Sequence, residues 1–182
     1  MRVIAGTAKG RKLYTPKSNS IRPALDKIKG AVFNILFNVE GLKVLDLFAG
    51  TGAVAIEALS RGAVHATFVD MSHEAITIIG KNIERCRFAE KAKVFPRPVS
   101  VAVEYFGRHQ ERFDLIFVDP PYLKNMVNST LAKIAEANIL AEGGRIVVEH
   151  HPKEPIREVA GLALTDTRKY GQTSVSFLCP AK

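Results

Sequence analysis

Val44-Leu45-Asp46-Leu47-Phe48-Ala49-Gly50-Thr51-Gly52, followed by Ala53-Val54-Ala55-Ile56-Glu57-Ala58-Leu59, is the stretch whose reading decides the fold. An apolar run of strand character carries one acid, a Gly-rich turn follows, and the spacing then becomes that of a helix. Strand, glycine turn and helix in this order build the ligand-binding corner of a doubly wound α/β sheet. Glycines there let the backbone approach a ligand closely and adopt positive φ. Phe48 and Ala53 stand where two glycines of a G-x-G-x-x-G dinucleotide fingerprint would fall, so the turn is not shaped for a pyrophosphate.

Outward from this corner, strands and helices alternate. Strand Val44–Phe48 leads to a helix near Gly52–Arg61 that stops at Gly62, then to strand Ala66–Asp70. A helix runs from Ser72 to about Arg85, and Val94-Phe95 is a short third strand. A helix near Val101–Gly107 precedes strand Phe113–Val118, and another covers about Val127–Asn138. Gly143-Gly144 then turn the chain into strand Arg145–Glu149. Such alternation predicts a mostly parallel sheet with helices on both faces. The tail differs: Leu162–Tyr170 and Thr173–Cys179, joined at Gly171-Gln172, read as an antiparallel hairpin closing the sheet.

Before the corner, Val3-Ile4-Ala5-Gly6 and Arg11-Lys12-Leu13-Tyr14 flank Thr7-Ala8-Lys9-Gly10 and predict a β-hairpin with a basic tip. Pro23 opens a helix to Phe37 whose apolar face is Leu25, Ile28, Val32, Ile35 and Leu36, with Lys27 and Lys29 off that face. Residues 1–40 therefore read as a basic hairpin-and-helix extension, and residues 41–182 as the α/β domain.

The 182 residues suffice for one domain with a full core. Apolar runs are too short for a transmembrane helix, and the first residues lack the shape of a signal peptide. Cys86 and Cys179 are far apart without C-x-x-C spacing, which suits structural thiols in a reducing cytoplasm and no metal site. Residues 1–43 hold nine bases against Asp26 and Glu40, a net +7 of the chain's +8. That asymmetry points to a polyanion, since each base that neutralises a phosphate releases a counterion. The size suggests a monomer.

Ligand sites in such sheets lie at the C-terminal ends of the strands. Asp46, Asp70 and Asp119 stand there. Asp70, 24 residues past Asp46, is placed to reach the two hydroxyls of a bound ribose. In Asp119-Pro120-Pro121-Tyr122 the prolines fix the backbone and donate no hydrogen bonds, so nearby carbonyls are left outward. A carboxylate beside such a carbonyl gives two convergent acceptors for an exocyclic amine, and Tyr122 offers a flat face for a base. His150-His151 read as loop histidines, His73 as part of a helix start, and Glu149 as a residue that lines the site or caps its strand.

Asp46-Leu47-Phe48-Ala49-Gly50-Thr51-Gly52 with Asp119-Pro120-Pro121-Tyr122 resembles the S-adenosylmethionine-dependent amino-methyltransferases of Rossmann-like fold. Further stretches resemble the bacterial family that methylates guanine N2 in small-subunit (16S) ribosomal RNA. They are Met1–Gly6, Gly10-Arg11, Arg22-Pro23, Asp26-Lys27, Phe33–Leu36, Glu57–Gly62 and Ile146–His150, so the likeness spans nearly the whole chain. The resemblance implies a cofactor site of Asp46, Phe48, Gly50, Thr51, Gly52, Asp70 and Met71. It places the target amine on Asp119, Pro120, Pro121 and Tyr122, and RNA on Arg2, Lys9, Arg11, Lys12, Arg22 and Lys27.

The chain departs from the family's pattern in two places. Ile21, Ala24 and Leu25 flank the Arg-Pro pair where Thr is common, and Pro98 stands where an Asp commonly follows the third strand. One or two lost hydrogen bonds at about 1 kcal/mol each would weaken cofactor affinity by roughly tens-fold. Two rival readings remain at the level of sequence. One is an adenine-N6 DNA methyltransferase, for which the chain lacks a separate target-recognition domain. The other is an RNA-binding protein on the same scaffold that has lost catalysis.

Overall fold

Four of the five residues of Lys43–Leu47 (β1) are buried, as suits an apolar run inside a parallel sheet. The computed structural model describes residues 1–16 and 23–181, with residues 23–25 in backbone only. The chain divides into two compact units, Met1–Pro96 and Arg97–Lys182. Numbered in sequence order, the seven strands of the described residues are β1, β2 (His65–Asp70), β3 (Ala92–Pro96), β4 (Phe113–Val118), β5 (Leu140–His150), β6 (Leu162–Tyr170) and β7 (Thr173–Pro180), lying in the order β3-β2-β1 in the first unit and β4-β5-β7-β6 in the second. Pairing is parallel among β1, β2 and β3 and between β4 and β5, and antiparallel for the C-terminal β6 and β7, the mostly parallel architecture expected from the alternation.

In the first unit, β1 pairs in parallel with β2 (His65–Asp70), and β2 with β3 (Ala92–Pro96). Helix α2 (Ala53–Ser60) is almost wholly buried, and its all-round apolar sequence is the reason. Helix α3 (His73–Cys86) is amphipathic, burying Ile78, Ile79, Ile83 and Cys86. It starts where the Ser72 hydroxyl accepts from the Ala75 N–H and ends at Arg87 in the left-handed region. Helix α1 (Pro23–Leu36) begins at the proline, as expected.

The N-terminal arms pair through the single antiparallel bridge Arg2↔Lys12, extended by Val3 N–H to Arg11 C=O and Leu13 N–H to Met1 C=O. This short pairing leans on α2. The N–H groups of Ile4 and Ala5 donate to the two carboxylate oxygens of Glu57 at 2.8 and 3.0 Å, and Glu57 is fully buried. The Ser60 hydroxyl donates to the Ala5 carbonyl and accepts from the Ala8 N–H. A Cβ on Gly6 would fall 1.7 Å from the Ser60 carbonyl oxygen, so only glycine permits this approach. Lys29, read as lying off the apolar face of α1, is buried. Its ammonium lies 3.3 Å from Glu57 and donates to the Arg2 carbonyl, because a buried carboxylate draws in a cation.

In the second unit, β4 (Phe113–Val118) pairs in parallel with β5 (Leu140–His150). Helices α4 (Val99–Arg108) and α5 (Met126–Ala137) pack against one another. Strand β5 starts five residues before the expected Arg145. Leu140 already pairs with Phe113, and the chain passes through an irregular stretch before Leu115 meets Arg145. Gly143, with φ +72, belongs to that irregularity. The hairpin β6 (Leu162–Tyr170) and β7 (Thr173–Pro180) is antiparallel, with β7 against β5. His150, read as a loop residue, is the last residue of β5. It is buried, with Nε2 2.9 Å from the Ser176 hydroxyl.

Candidate functional site

At the end of β1 the chain makes its glycine turn, and Phe48, Gly50 and Gly52 have φ of +64, +56 and +74. Phe48 thus holds a conformation that most side chains avoid, and such strain concentrates at functional sites. A Cβ on Gly52 would press to 3.0 Å from the Phe68 ring, whereas a Cβ on Gly50 meets nothing closer than 4.0 Å. Asp70, at the end of β2, accepts from the Gly50 N–H at 2.9 Å and from the Ser72 N–H at 2.8 Å. It therefore fixes the turn itself, and each oxygen keeps lone-pair capacity for a further donor.

Asp46 lies within β1, and its Oδ2 is buried without a hydrogen-bond partner. Burial pushes its carboxyl up to about 7; the Ala55 N–H lowers it, and the negative charge of Asp70 raises it. An orphaned buried carboxylate oxygen in a glycine-lined strand end suits a ligand that brings positive charge or N–H donors. Met71, the next residue after Asp70, is 75% exposed and offers apolar surface. Thr51 has its carbonyl held by the Asn82 side chain at 2.9 Å. These residues fit an S-adenosylmethionine-like ligand in donor set and cradle. In the second unit, Pro98 immediately precedes α4 and gives it no side-chain cap.

Asn82 is fully buried on α3 and also binds Tyr14, accepting from its N–H at 2.7 Å and donating to its carbonyl at 3.1 Å. Sequence reasoning missed this residue, because an Asn in a helix gives no signal of what its amide will meet. Glu57 was missed too, although an acid in an otherwise apolar helix was a visible signal. Of the expected RNA-binding residues, Arg2, Lys9, Lys12 and Lys27 are exposed. Arg11 donates through its guanidinium to the Arg85 carbonyl. Arg85 in turn lies 5.1 Å from the Tyr14 ring centre. Arg22 lies outside the described residues.

In the second unit, Asp119-Pro120-Pro121-Tyr122 directly follows β4, as expected. Asp119 and Pro121 are exposed, Pro120 is buried and Tyr122 is half-buried. The Tyr122 hydroxyl donates to Glu149 Oε1 at 2.8 Å and lies 3.0 Å from the Thr173 hydroxyl. Its ring and that of His151 lie at a steep angle to one another, with centres 6.0 Å apart. Burial raises the Glu149 carboxyl above the usual range. The same cause raises the Tyr122 phenol, which stays protonated. The next turn is clamped by Glu154, whose two oxygens accept from the N–H groups of Leu123 and Asn125. Among the described residues, no group of three or more His, Cys, Asp or Glu is gathered as for a metal ion, and no helix is long and apolar enough to cross a membrane.

A family model described as conserved hypothetical protein 95 matches residues 1–179. A Bacillus subtilis (strain 168) protein provisionally named rRNA methyltransferase YlbH is 38% identical over 179 residues, 97% of each chain. The ribosomal RNA small subunit methyltransferase D of Escherichia coli (strain K12) is 33% identical over 150 residues, 82% of this chain and 74% of its own. A solved Escherichia coli structure, provisionally described as the methyltransferase yhhF, matches with a TM-score of 0.85 at 28% identity. It covers 98% of this chain and 96% of that one.

Proposed function

The chain belongs to the family described as conserved hypothetical protein 95, and from that premise we propose that it transfers a methyl group from S-adenosylmethionine to the exocyclic N2 amine of a guanine in small-subunit (16S) ribosomal RNA. The observation that carries the reading is Asp119-Pro120-Pro121-Tyr122 at the C-terminal end of a parallel strand, with Asp119 an exposed residue and the Tyr122 hydroxyl held by Glu149. Relatives named for rRNA and small-subunit rRNA methylation support the substrate class.

S-adenosylmethionine supplies, when bound, a methyl group on a positively charged sulfur, so the protein need not provide a nucleophile. Asp46, Phe48, Gly50, Thr51, Gly52, Asp70 and Met71 hold it in this reading. The unpartnered Asp46 oxygen suits a cationic group, the free lone pairs of Asp70 suit ribose hydroxyls, and Met71 suits the flat base. Asp119 and the Pro120 carbonyl accept the two N–H groups of the target amine, which draws its lone pair back from the guanine ring onto nitrogen. The carboxylate also favours the positive charge that develops there. The guanine leaves its stack to reach the strand end, and Tyr122 receives its face. The basic residues of segment 1–40 (Arg2, Lys9, Arg11, Lys12, Arg22 and Lys27) bind phosphates, while residues 41–182 carry the chemistry. In this reading the activity is cytoplasmic.

The test is transfer of labelled methyl from S-adenosylmethionine to naked ribosomal RNA, assembled small subunits and duplex DNA, followed by digestion to nucleosides. Label in N2-methylguanosine is expected. Label in N6-methyladenine would overturn the substrate but keep the reaction. No label, together with no saturable cofactor binding, would leave an RNA-binding protein.

A further inference from the structure

We propose that Glu149 and Thr173 are positioning residues for the methyl-accepting base: by taking the one proton of the Tyr122 hydroxyl and donating to its oxygen, they fix its ring and leave the ring face as its surface for substrate. The inference rests on the proposed amine methylation.

A phenol has one proton to donate, and its oxygen accepts. An ionised carboxylate can only accept, so Tyr122 donates to Glu149 Oε1 at 2.8 Å. With that proton committed, the 3.0 Å contact to Thr173 must be donation from the threonine hydroxyl to the phenol oxygen. The chain of bonds therefore has one direction, from Thr173 through Tyr122 to Glu149. The phenol also stays protonated, since burial and the nearby charges of Glu149 and Asp119 oppose its ionisation. A hydroxyl so engaged has no proton left to donate to a guanine edge and is unfit as a general base.

Three segments distant in sequence meet at this oxygen: the turn after β4, the end of β5 and the start of β7. Tyr122 is thereby tied at its far end as well as at its backbone, and the His151 ring, 6.0 Å away at a steep angle, packs against it. A stacking surface set before substrate arrives spares the ordering cost at the moment of binding. Glu149 itself is half-buried with its carboxyl raised by desolvation, a cost that needs a partner such as Tyr122 to sustain it.

The experiment is steady-state methyl transfer to ribosomal RNA by wild type, Glu149→Ala, Glu149→Gln, Tyr122→Phe, Thr173→Val and the double variant Tyr122→Phe/Glu149→Ala. Melting temperature and S-adenosylmethionine affinity are measured for each. Glu149→Ala and Tyr122→Phe are expected to lower kcat/KM for RNA by roughly fivefold to tenfold each, with cofactor affinity kept. The double variant should be no worse than either single one. Glu149→Gln, which keeps an acceptor for the phenol, should stay within about threefold of wild type. Thr173→Val, which alters packing least, should follow Tyr122→Phe in direction and keeps the test alive if Glu149→Ala fails to fold. Losses that multiply in the double variant would overturn the proposal. So would a Glu149→Gln as damaged as Glu149→Ala, because the charge would then act on substrate directly. Wild-type silence on every RNA would instead overturn the parent reading, an outcome distinct from both.

Discussion

The side-chain amide of Asn82 donates to the Thr51 carbonyl at 2.9 Å while the same side chain brackets the backbone of Tyr14. One buried residue on α3 thus supports both the glycine turn and the end of the N-terminal pairing. Asn82→Leu leaves the Tyr14 N–H and carbonyl and the Thr51 carbonyl without this partner, in a region that is only part-buried. A loss of about 2–4 kcal/mol is expected, which for a chain of this size lowers the melting temperature by roughly 5–15 °C. S-adenosylmethionine affinity should fall in the same variant even well below its melting point. Thermal denaturation paired with cofactor titration checks both, and an unchanged melting temperature would remove Asn82 from this role.

Asp46 carries a pH signature. Its carboxyl rises from 3.8 to about 7 on folding, mainly through burial. Below the lower value both folded and unfolded chains hold the proton and no cost arises. Between the two only the unfolded chain releases it, so stability declines as pH rises, and above about 7 the full cost, at most about 4 kcal/mol, is present. Asp46→Asn removes this slope. Urea unfolding at pH 5 and pH 8 should show the variant gaining on wild type at the higher pH, while its cofactor affinity drops. A variant whose pH profile parallels wild type would refute the assignment.

Much of this was legible in the sequence, for reasons that differ by element. The corner at Asp46–Gly52 could be read because strand, turn and helix follow one another locally, and strands such as Phe113–Val118 because apolar runs between helical patterns have few other readings. Asp119–Tyr122 could be read because its chemistry lies in four consecutive residues. The burial of Lys29 and His150 was not legible because their partners, Glu57 and Ser176, are 28 and 26 residues away, and only folding brings them together. The early start of β5 was hidden for a similar reason. A strand broken by Gly143 looks like a turn until its pairing with Phe113 is known.

Glu57 is the residue that ties the N-terminal arms to the α/β corner. It accepts from Ile4 and Ala5, pairs with Arg61 Nε at 2.8 Å and lies 3.3 Å from Lys29. Glu57→Ala leaves two backbone donors without their acceptor and the buried Lys29 ammonium with only Asp26 at 3.6 Å and the Arg2 carbonyl, so a loss of about 3–5 kcal/mol is expected. Lys29→Met should cost less, because Arg61 and the two N–H groups still satisfy the carboxylate. Equilibrium unfolding of the two variants gives the order, and a Lys29→Met as damaging as Glu57→Ala would contradict it.

The exposed bases Arg2, Lys9 and Lys12 bear on RNA affinity through charge alone, since each projects from the surface of the N-terminal arms. Phosphate contacts release counterions, so each contributes about 0.7–0.9 to the slope of log affinity against log salt. The triple variant Arg2→Gln/Lys9→Gln/Lys12→Gln is therefore expected to bind ribosomal RNA more weakly at low salt and to lower that slope by about 2–3. Its melting temperature should hardly move, because none of the three side chains is buried. Cofactor affinity should stay as in wild type, which separates this surface from the glycine turn. Filter binding across a salt series decides the matter: an unchanged slope would mean that RNA meets another face of the protein.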